Sequence, residues 1–279
     1  MARLLVDFYS AALCGNTSAL VILPTERDDF LSGGIRRDSE GKIPVIYLLH
    51  GMGDDHMGWA RYTNLEREAL SRGVAVVCPL VHSQSYYSNM PKGLKYYDFV
   101  ADELPVLMRG IFPQLSSLRE GNIIAGVSMG GYGAVKAGFG RPETYSRVGC
   151  FSSGNFVYFG SYLPPEDQAP EFLFPFYGVA RNAFGTETLL DAKGSENDIY
   201  TVLDKAIAAK KPLPKLHMYC GTEDFVLGIS DATAEYYAKR MAPDAFAYKK
   251  GPGLHNWIFW NEWLPVFFDD CGLTKLLKL

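Results

Sequence analysis

The chain has 279 residues, of which 48% are hydrophobic and 21% charged, and its formal net charge is −4. That length allows a large core, in one large α/β domain or two smaller ones. The charge is too small and of the wrong sign for a nucleic-acid or anionic-membrane partner.

Met1–Asp7 carries no long apolar stretch ahead of its first charges, so no signal peptide is expected and a reduced, cytoplasmic setting fits best. No window approaches the ~18 uninterrupted apolar residues of a membrane span. Leu4–Tyr9 and Ala19–Leu23 are short apolar runs with no helical pattern between them, and are expected to begin a sheet as an antiparallel pair. Pro24–Lys42 is polar and reads as a surface loop. The further predicted strands are Val45–Leu49, Val74–Cys78, Asn122–Val127, Arg147–Ser152, Lys215–Cys220 and Ala245–Lys249. Between and after them, helices are predicted at Trp59–Ser71, Tyr97–Gly110, Gly130–Gly138, Thr201–Lys210, Ser230–Met241 and Asn256–Phe268. Such alternation implies a mostly parallel sheet of eight strands with helices on both faces, in a single domain. Asn155–Asp198 interrupts the rhythm with four prolines among nine Phe and Tyr residues. A segment this long is usually functional. It is expected either to be a lid over a site or to pack on the surface with its aromatics beneath it.

The five cysteines are widely spaced and form no C-x-x-C pair, so a disulfide framework or structural zinc is not expected. Cys78, Cys150 and Cys220 end apolar runs, where buried free thiols are common. The carboxylates and histidines lack a ligand spacing such as H-E-x-x-H, and no metal or organic cofactor is predicted.

Gly126-Val127-Ser128-Met129-Gly130 reads G-x-S-x-G between a predicted strand and a predicted helix. That context places a serine hydroxyl on a sharp turn at a helix N-terminus, where free N–H groups favour negative charge. A serine hydroxyl is a poor nucleophile until a base takes its proton and a third group orients the base. The chain order for such sites is Ser, acid, His. His255 alone among the five histidines follows every candidate acid. The acid is expected in the turn Gly221-Thr222-Glu223-Asp224 after a strand: Asp224 first, Glu223 second, and Asp231 a distant third. His217 lies within a strand and reads as a core or interface histidine; His82, just past another strand end, reads as a loop residue that could line the site. One oxyanion donor is expected from the N–H of Met129. The other should come from His50-Gly51-Met52-Gly53, with Met52 favoured, Gly51 second, and His50 steadying the loop. Gly51, Trp59, Phe156 and Trp257 are the expected pocket residues.

With these pieces in place, the chain resembles the α/β-hydrolase superfamily, in particular the esterase D-like group of tributyrin, acetyl and feruloyl esterases. The resemblance rests on Val6–Ser10, Tyr47–Gly53, Ser85–Tyr87, Gly93–Tyr97, Glu103–Pro105, Ala125–Ala134, Cys220–Phe225 and His255–Trp260, and spans nearly the whole chain. It implies the α/β-hydrolase fold, with Ser128 as nucleophile, Asp224 as acid and His255 as base. It implies a serine carboxylesterase acting on a small-molecule ester, with short acyl or cinnamoyl and feruloyl groups. An S-formylglutathione hydrolase-like thioesterase, an acyltransferase and a non-catalytic binding protein are the rival readings. Asn155–Asp198 looks longer than in the shorter relatives, so the ester itself is not read from the sequence, nor is the oligomeric state.

Overall fold

Residues 45–49, Val-Ile-Tyr-Leu-Leu, set the pattern of the molecule. All five are buried, and their side chains alternate between two separate cores. Val45, Tyr47 and Leu49 enter one, Ile46 and Leu48 the other. A strand with apolar residues on both faces is a strand covered on both faces. The computed structural model describes residues 1–25, 33–91 and 93–276. Residues 26–32 of the Pro24–Lys42 loop lie outside the described residues.

The eight strands are β1 (Ala2–Ser10), β2 (Gly15–Leu23), β3 (Val45–Leu49), β4 (Ala75–Pro79), β5 (Asn122–Val127), β6 (Arg147–Phe151), β7 (Lys215–Gly221) and β8 (Phe246–Gly251). They form one sheet in the order β1-β2-β4-β3-β5-β6-β7-β8. As expected, β1 and β2 pair antiparallel; β2 also meets β4 antiparallel, and every pairing from β4 to β8 is parallel. The chain runs outward from β3 to β4 and then returns to β5 on the other side. The carboxyl ends of β3 and β5 therefore flank the switch point, where open α/β sheets bind ligands.

Helices α1 (Gly58–Tyr62), α2 (Leu65–Arg72) and α7 (Trp257–Asp270) cover one face, placing Trp59, Leu65, Leu264 and Phe267 in its core. Helices α3 (Leu104–Ile111), α4 (Met129–Gly140), α5 (Ile199–Ala208) and α6 (Leu227–Ala238) cover the other, contributing Leu104, Tyr132, Leu203 and Tyr237. The single helix expected at Trp59–Ser71 is two. Thr63 is extended (φ −131°, ψ 172°), and its hydroxyl accepts the Leu65 N–H at 3.2 Å. A threonine side chain that competes for backbone groups ends a helix in this way.

Residues 155–198 form short helical turns, the longest Phe156–Tyr162. Asn155 donates from Nδ2 to Asp198 Oδ1 at 2.7 Å, tying the two ends together. Phe156, Phe159 and Phe176 are buried beneath the segment, and Tyr162, Phe172 and Phe174 are exposed. Cys78, Cys150, Cys220 and Cys271 are buried free thiols, and Cys14 is an exposed one. No helix among the described residues is long and apolar enough to cross a membrane.

Candidate active site

Ser128 stands between β5 and α4 with φ 52° and ψ −121°. A non-glycine residue holds such a conformation only where its surroundings enforce it. Here the Ser128 N–H donates to Phe151 O at 2.9 Å on the neighbouring strand. The flanking glycines remove the steric objection. A Cβ at Gly126 would sit 2.4 Å from the Gly130 backbone, and one at Gly130 would sit 2.4 Å from Leu49 O. The pattern G-x-S-x-G is thus the condition for the turn to close against β3. Ser128 is 6% exposed. Met129 is the first residue of α4, so its N–H has no acceptor within the helix.

The loop after β3 lies against this turn. A Cβ at Gly51 would be 3.5 Å from Ser128 Cβ. His50 secures the loop. Its Nδ1 donates to Gly51 O at 2.8 Å and its Nε2 accepts the Val81 N–H at 3.2 Å. A ring that donates from one nitrogen and accepts at the other is neutral. Burial also pushes His50 below the usual imidazole range. Behind it, Tyr87 donates to His50 O at 2.9 Å, and the Tyr86 hydroxyl lies 3.9 Å from Met52 Sδ. Tyr86 and Tyr87 are both in left-handed backbone (φ 46° and 47°). In the sequence they entered only through the resemblance; bulky residues with positive φ leave no compositional signal.

Asp224 and His255 meet across the ends of β7 and β8. His255 Nδ1 donates to Asp224 Oδ1 at 2.9 Å, with Oδ2 at 3.1 Å. Asp224 is 5% exposed and also accepts the Val226 N–H at 3.0 Å. Burial pushes its carboxyl up. Hydrogen bonds from His255, Val226 and Ser152, with the imidazole's charge, outweigh this and hold it below the usual carboxylate range. Glu223 faces away: its Oε2 accepts the Gly253 N–H at 2.6 Å and so braces the loop that carries His255. Asp231 pairs with Lys250 and the Tyr248 hydroxyl. His217 is a strand histidine, as expected. Desolvation pushes it down to about 4, and its ring nitrogens have no hydrogen-bond partner among the described residues.

A cavity of about 580 Å³ opens over these groups. Its lining residues include Ser128, His255, Gly51 and Met52, the aromatic Tyr62, Trp257 and Trp260, and the charged Asp54, Asp55 and Arg61. Two expected pocket residues are not among the lining residues. Trp59 is 0% exposed because its indole N–H is drawn onto Leu49 O at 3.1 Å, leaving the ring edge-on beneath Trp257 at 5.3 Å. Phe156 is buried edge-on against Tyr86 at 4.9 Å and Tyr132 at 5.8 Å. His82 lines a different cavity, with Met90 and Arg181. The sequence reading missed Tyr62 and Trp260. The available signal was spacing: Trp257 and Trp260 are three apart at the start of a helix and share a face.

The family described as "Putative esterase" matches residues 10–266. The chain belongs to this esterase family. An acetyl esterase of Caldicellulosiruptor saccharolyticus is 28% identical over 270 residues, which are 96% of this chain and 97% of that protein. Among solved structures, FphF, a fluorophosphonate-binding serine hydrolase of Staphylococcus aureus, superposes with a TM-score of 0.81 at 28% identity, covering 98% of this chain and 99% of that one. The S-formylglutathione hydrolase FrmB of Staphylococcus aureus gives 0.77 at 28% identity with the same coverage. The esterase's sheet order and helical layers are those of the α/β-hydrolase fold.

Proposed function

We propose that the protein is a serine carboxylesterase that works through an acyl-enzyme. Ser128 Oγ attacks the ester carbonyl while His255 takes its proton, and Asp224 stabilises the imidazolium. The N–H groups of Met129 and Met52 receive the oxyanion, His255 then protonates the leaving alcohol, and water releases the acid. The observation that carries this reading is the 2.9 Å bond to buried Asp224 from Nδ1 of His255, which lines the same cavity as Ser128. The order of elements supports it, since each group leaves the carboxyl end of a different strand.

Short acyl esters are the leading substrate class. No residue of 155–198 is among the cavity's lining residues; Phe159, Phe172 and Phe176 of that segment pack instead against Phe225, whose ring lies 4.5 Å from that of His255. Tyr62, Trp257 and Trp260 offer the flat surface that remains. The similarity to FrmB favours thioester hydrolysis as a second reading. Ser128→Ala is expected to abolish p-nitrophenyl butyrate hydrolysis and fluorophosphonate labelling, with an unchanged thermal transition. Near-wild-type turnover by that variant would sink the assignment. Comparing kcat/KM on p-nitrophenyl butyrate, methyl ferulate and S-formylglutathione then ranks the substrate classes.

A further inference from the structure

Six rings run in an unbroken line past the catalytic groups, with the His255 imidazole among them. Starting at Tyr62, successive centroids are 5.5 Å apart to Trp257, 4.9 Å to Trp260, 5.1 Å to His255, 4.5 Å to Phe225 and 5.9 Å to Phe172. Every gap lies within the range of aromatic contact, about 4.5–7 Å. His255 divides the line into two arms. Tyr62, Trp257 and Trp260 line the cavity together with Ser128, Gly51 and Met52, whereas Phe225 and Phe172 do not. Phe225 and Phe172 are nonetheless 42% and 61% exposed. They are also braced. The buried rings of Phe159 and Phe176 stand 6.5 Å and 6.1 Å from that of Phe225. An exposed aromatic surface that adjoins a reacting group has the character of a ligand site.

An ester has two parts to place, and the route of the proton assigns one to each arm. His255 Nδ1 is committed to Asp224, so Nε2 is the nitrogen that exchanges the proton. When the tetrahedral intermediate collapses, the bond from the carbonyl carbon to the alcohol oxygen breaks. Its electron pair stays on that oxygen, and Nε2 supplies the proton. The leaving oxygen must therefore stand about 3 Å from Nε2, which sets the rest of the alcohol beside the imidazole. The acyl part stays on Ser128, in the cavity with the first arm. We propose that Phe225 and Phe172 form the alcohol subsite, and that it takes an apolar or aromatic alcohol. Phenylalanine rings offer no hydrogen bond, so a hydroxyl-rich alcohol would lose its bonds to water there without replacement. The proposal rests on the esterase reading above and specifies the alcohol side of its substrate.

The test uses the full chain and two butyrates that differ only in the alcohol, methyl butyrate and 2-naphthyl butyrate. The parameter kcat/KM reports stabilisation of a transition state in which the alcohol is still bound. Comparing the naphthyl-to-methyl ratio between enzymes cancels the intrinsic reactivity of the two esters. That ratio is expected to fall about two- to tenfold in Phe225→Ala and in Phe172→Ala, the equivalent of one aromatic pair. Phe225→Tyr keeps the ring and should restore it. The ratio of p-nitrophenyl hexanoate to p-nitrophenyl acetate, which varies only the acyl part, should hold throughout. Phe172 lies on the surface, so its variant keeps the test open if Phe225→Ala does not fold. An unchanged naphthyl-to-methyl ratio in the folded alanine variants would overturn the proposal. So would a shift in the acyl ratio alone, which would make this arm an acyl subsite. If Ser128→Ala is inactive and the alcohol ratio does not move, this inference fails alone. If Ser128→Ala remains active, the esterase reading itself fails.

Discussion

Glu223 and Asp224 are neighbours in the chain with opposite assignments. Asp224 is buried against His255, while Glu223 reaches across to Gly253. Their variants should separate accordingly. Asp224→Asn is expected to lower kcat by about 10³–10⁴-fold, because an amide no longer stabilises the imidazolium or fixes its tautomer. Glu223→Gln keeps an acceptor for the Gly253 N–H and should stay within about tenfold of wild type, a smaller effect of the kind set by one hydrogen bond. Steady-state kinetics on p-nitrophenyl butyrate check both. Asp224 also carries a stability signature. Its folded carboxyl is held below the ordinary value, so its contribution is complete above that ordinary value and fades as pH falls through the folded one. Urea midpoints at neutral and acid pH should therefore fall less steeply for Asp224→Asn than for wild type. At this scale the sequence was informative about order and poor about depth. The succession of Ser128, Asp224 and His255 follows from how strands deliver side chains to one edge. Whether Trp59 or Trp257 meets solvent depends on the layer each reaches, and both occur in similar local patterns.

The inner strands β3, β4 and β5 were legible because each is buried on two faces and reads as an apolar run, whereas the edge strand β1 alternates between exposed and part-buried residues. Helix ends were less so, since a single side chain such as Thr63 decides them. Ties between elements left no trace in the sequence. Arg72 ends α2 fully buried, bonded to Glu68 on its own helix and, at 2.8 Å, to Asp269 on α7. It also donates to Pro265 O at 3.2 Å and lies over the Phe268 ring. Removing one partner of a buried pair strands the other's charge. Arg72→Ala should lower stability by about 3–5 kcal/mol in urea titration. The kcat of the folded fraction should hold, since α2 contributes nothing to the cavity lining. The 155–198 segment was visible as an anomaly of length and composition. Its packing was not, because the partners of Phe156, namely Tyr86 and Tyr132, come from two distant stretches.

Across the molecule, the helix that starts at the elbow is joined to the end of that segment by a buried amine. Lys136 on α4 donates to Ser88 Oγ at 3.1 Å and to Asn197 Oδ1 at 2.5 Å. Burial pushes its amine from 10.5 down to about 7. Between those values the unfolded chain holds one proton more than the fold, so this residue makes stability rise with pH over that window. Buried thiols and phenols act in the opposite sense at alkaline pH, and they cancel when wild type is compared with Lys136→Met. The difference in unfolding free energy between the two should change in favour of wild type from pH 7 to pH 9. A constant difference would refute the buried neutral amine.

The layering of Trp59 beneath Trp257 has a practical consequence. The chain has four tryptophans, Trp59, Trp257, Trp260 and Trp263. Trp257 and Trp260 wall the cavity at 4.9 Å from each other, Trp59 supports them, and Trp263 lies two turns along the same helix. Intrinsic fluorescence is therefore emitted from one corner of the molecule. Trp257 and Trp260, the two that line the cavity, make part of its colour and intensity sensitive to the hydration of the cavity. Acylation of Ser128 or entry of a product should alter the emission directly, giving an optical readout of occupancy that needs no label.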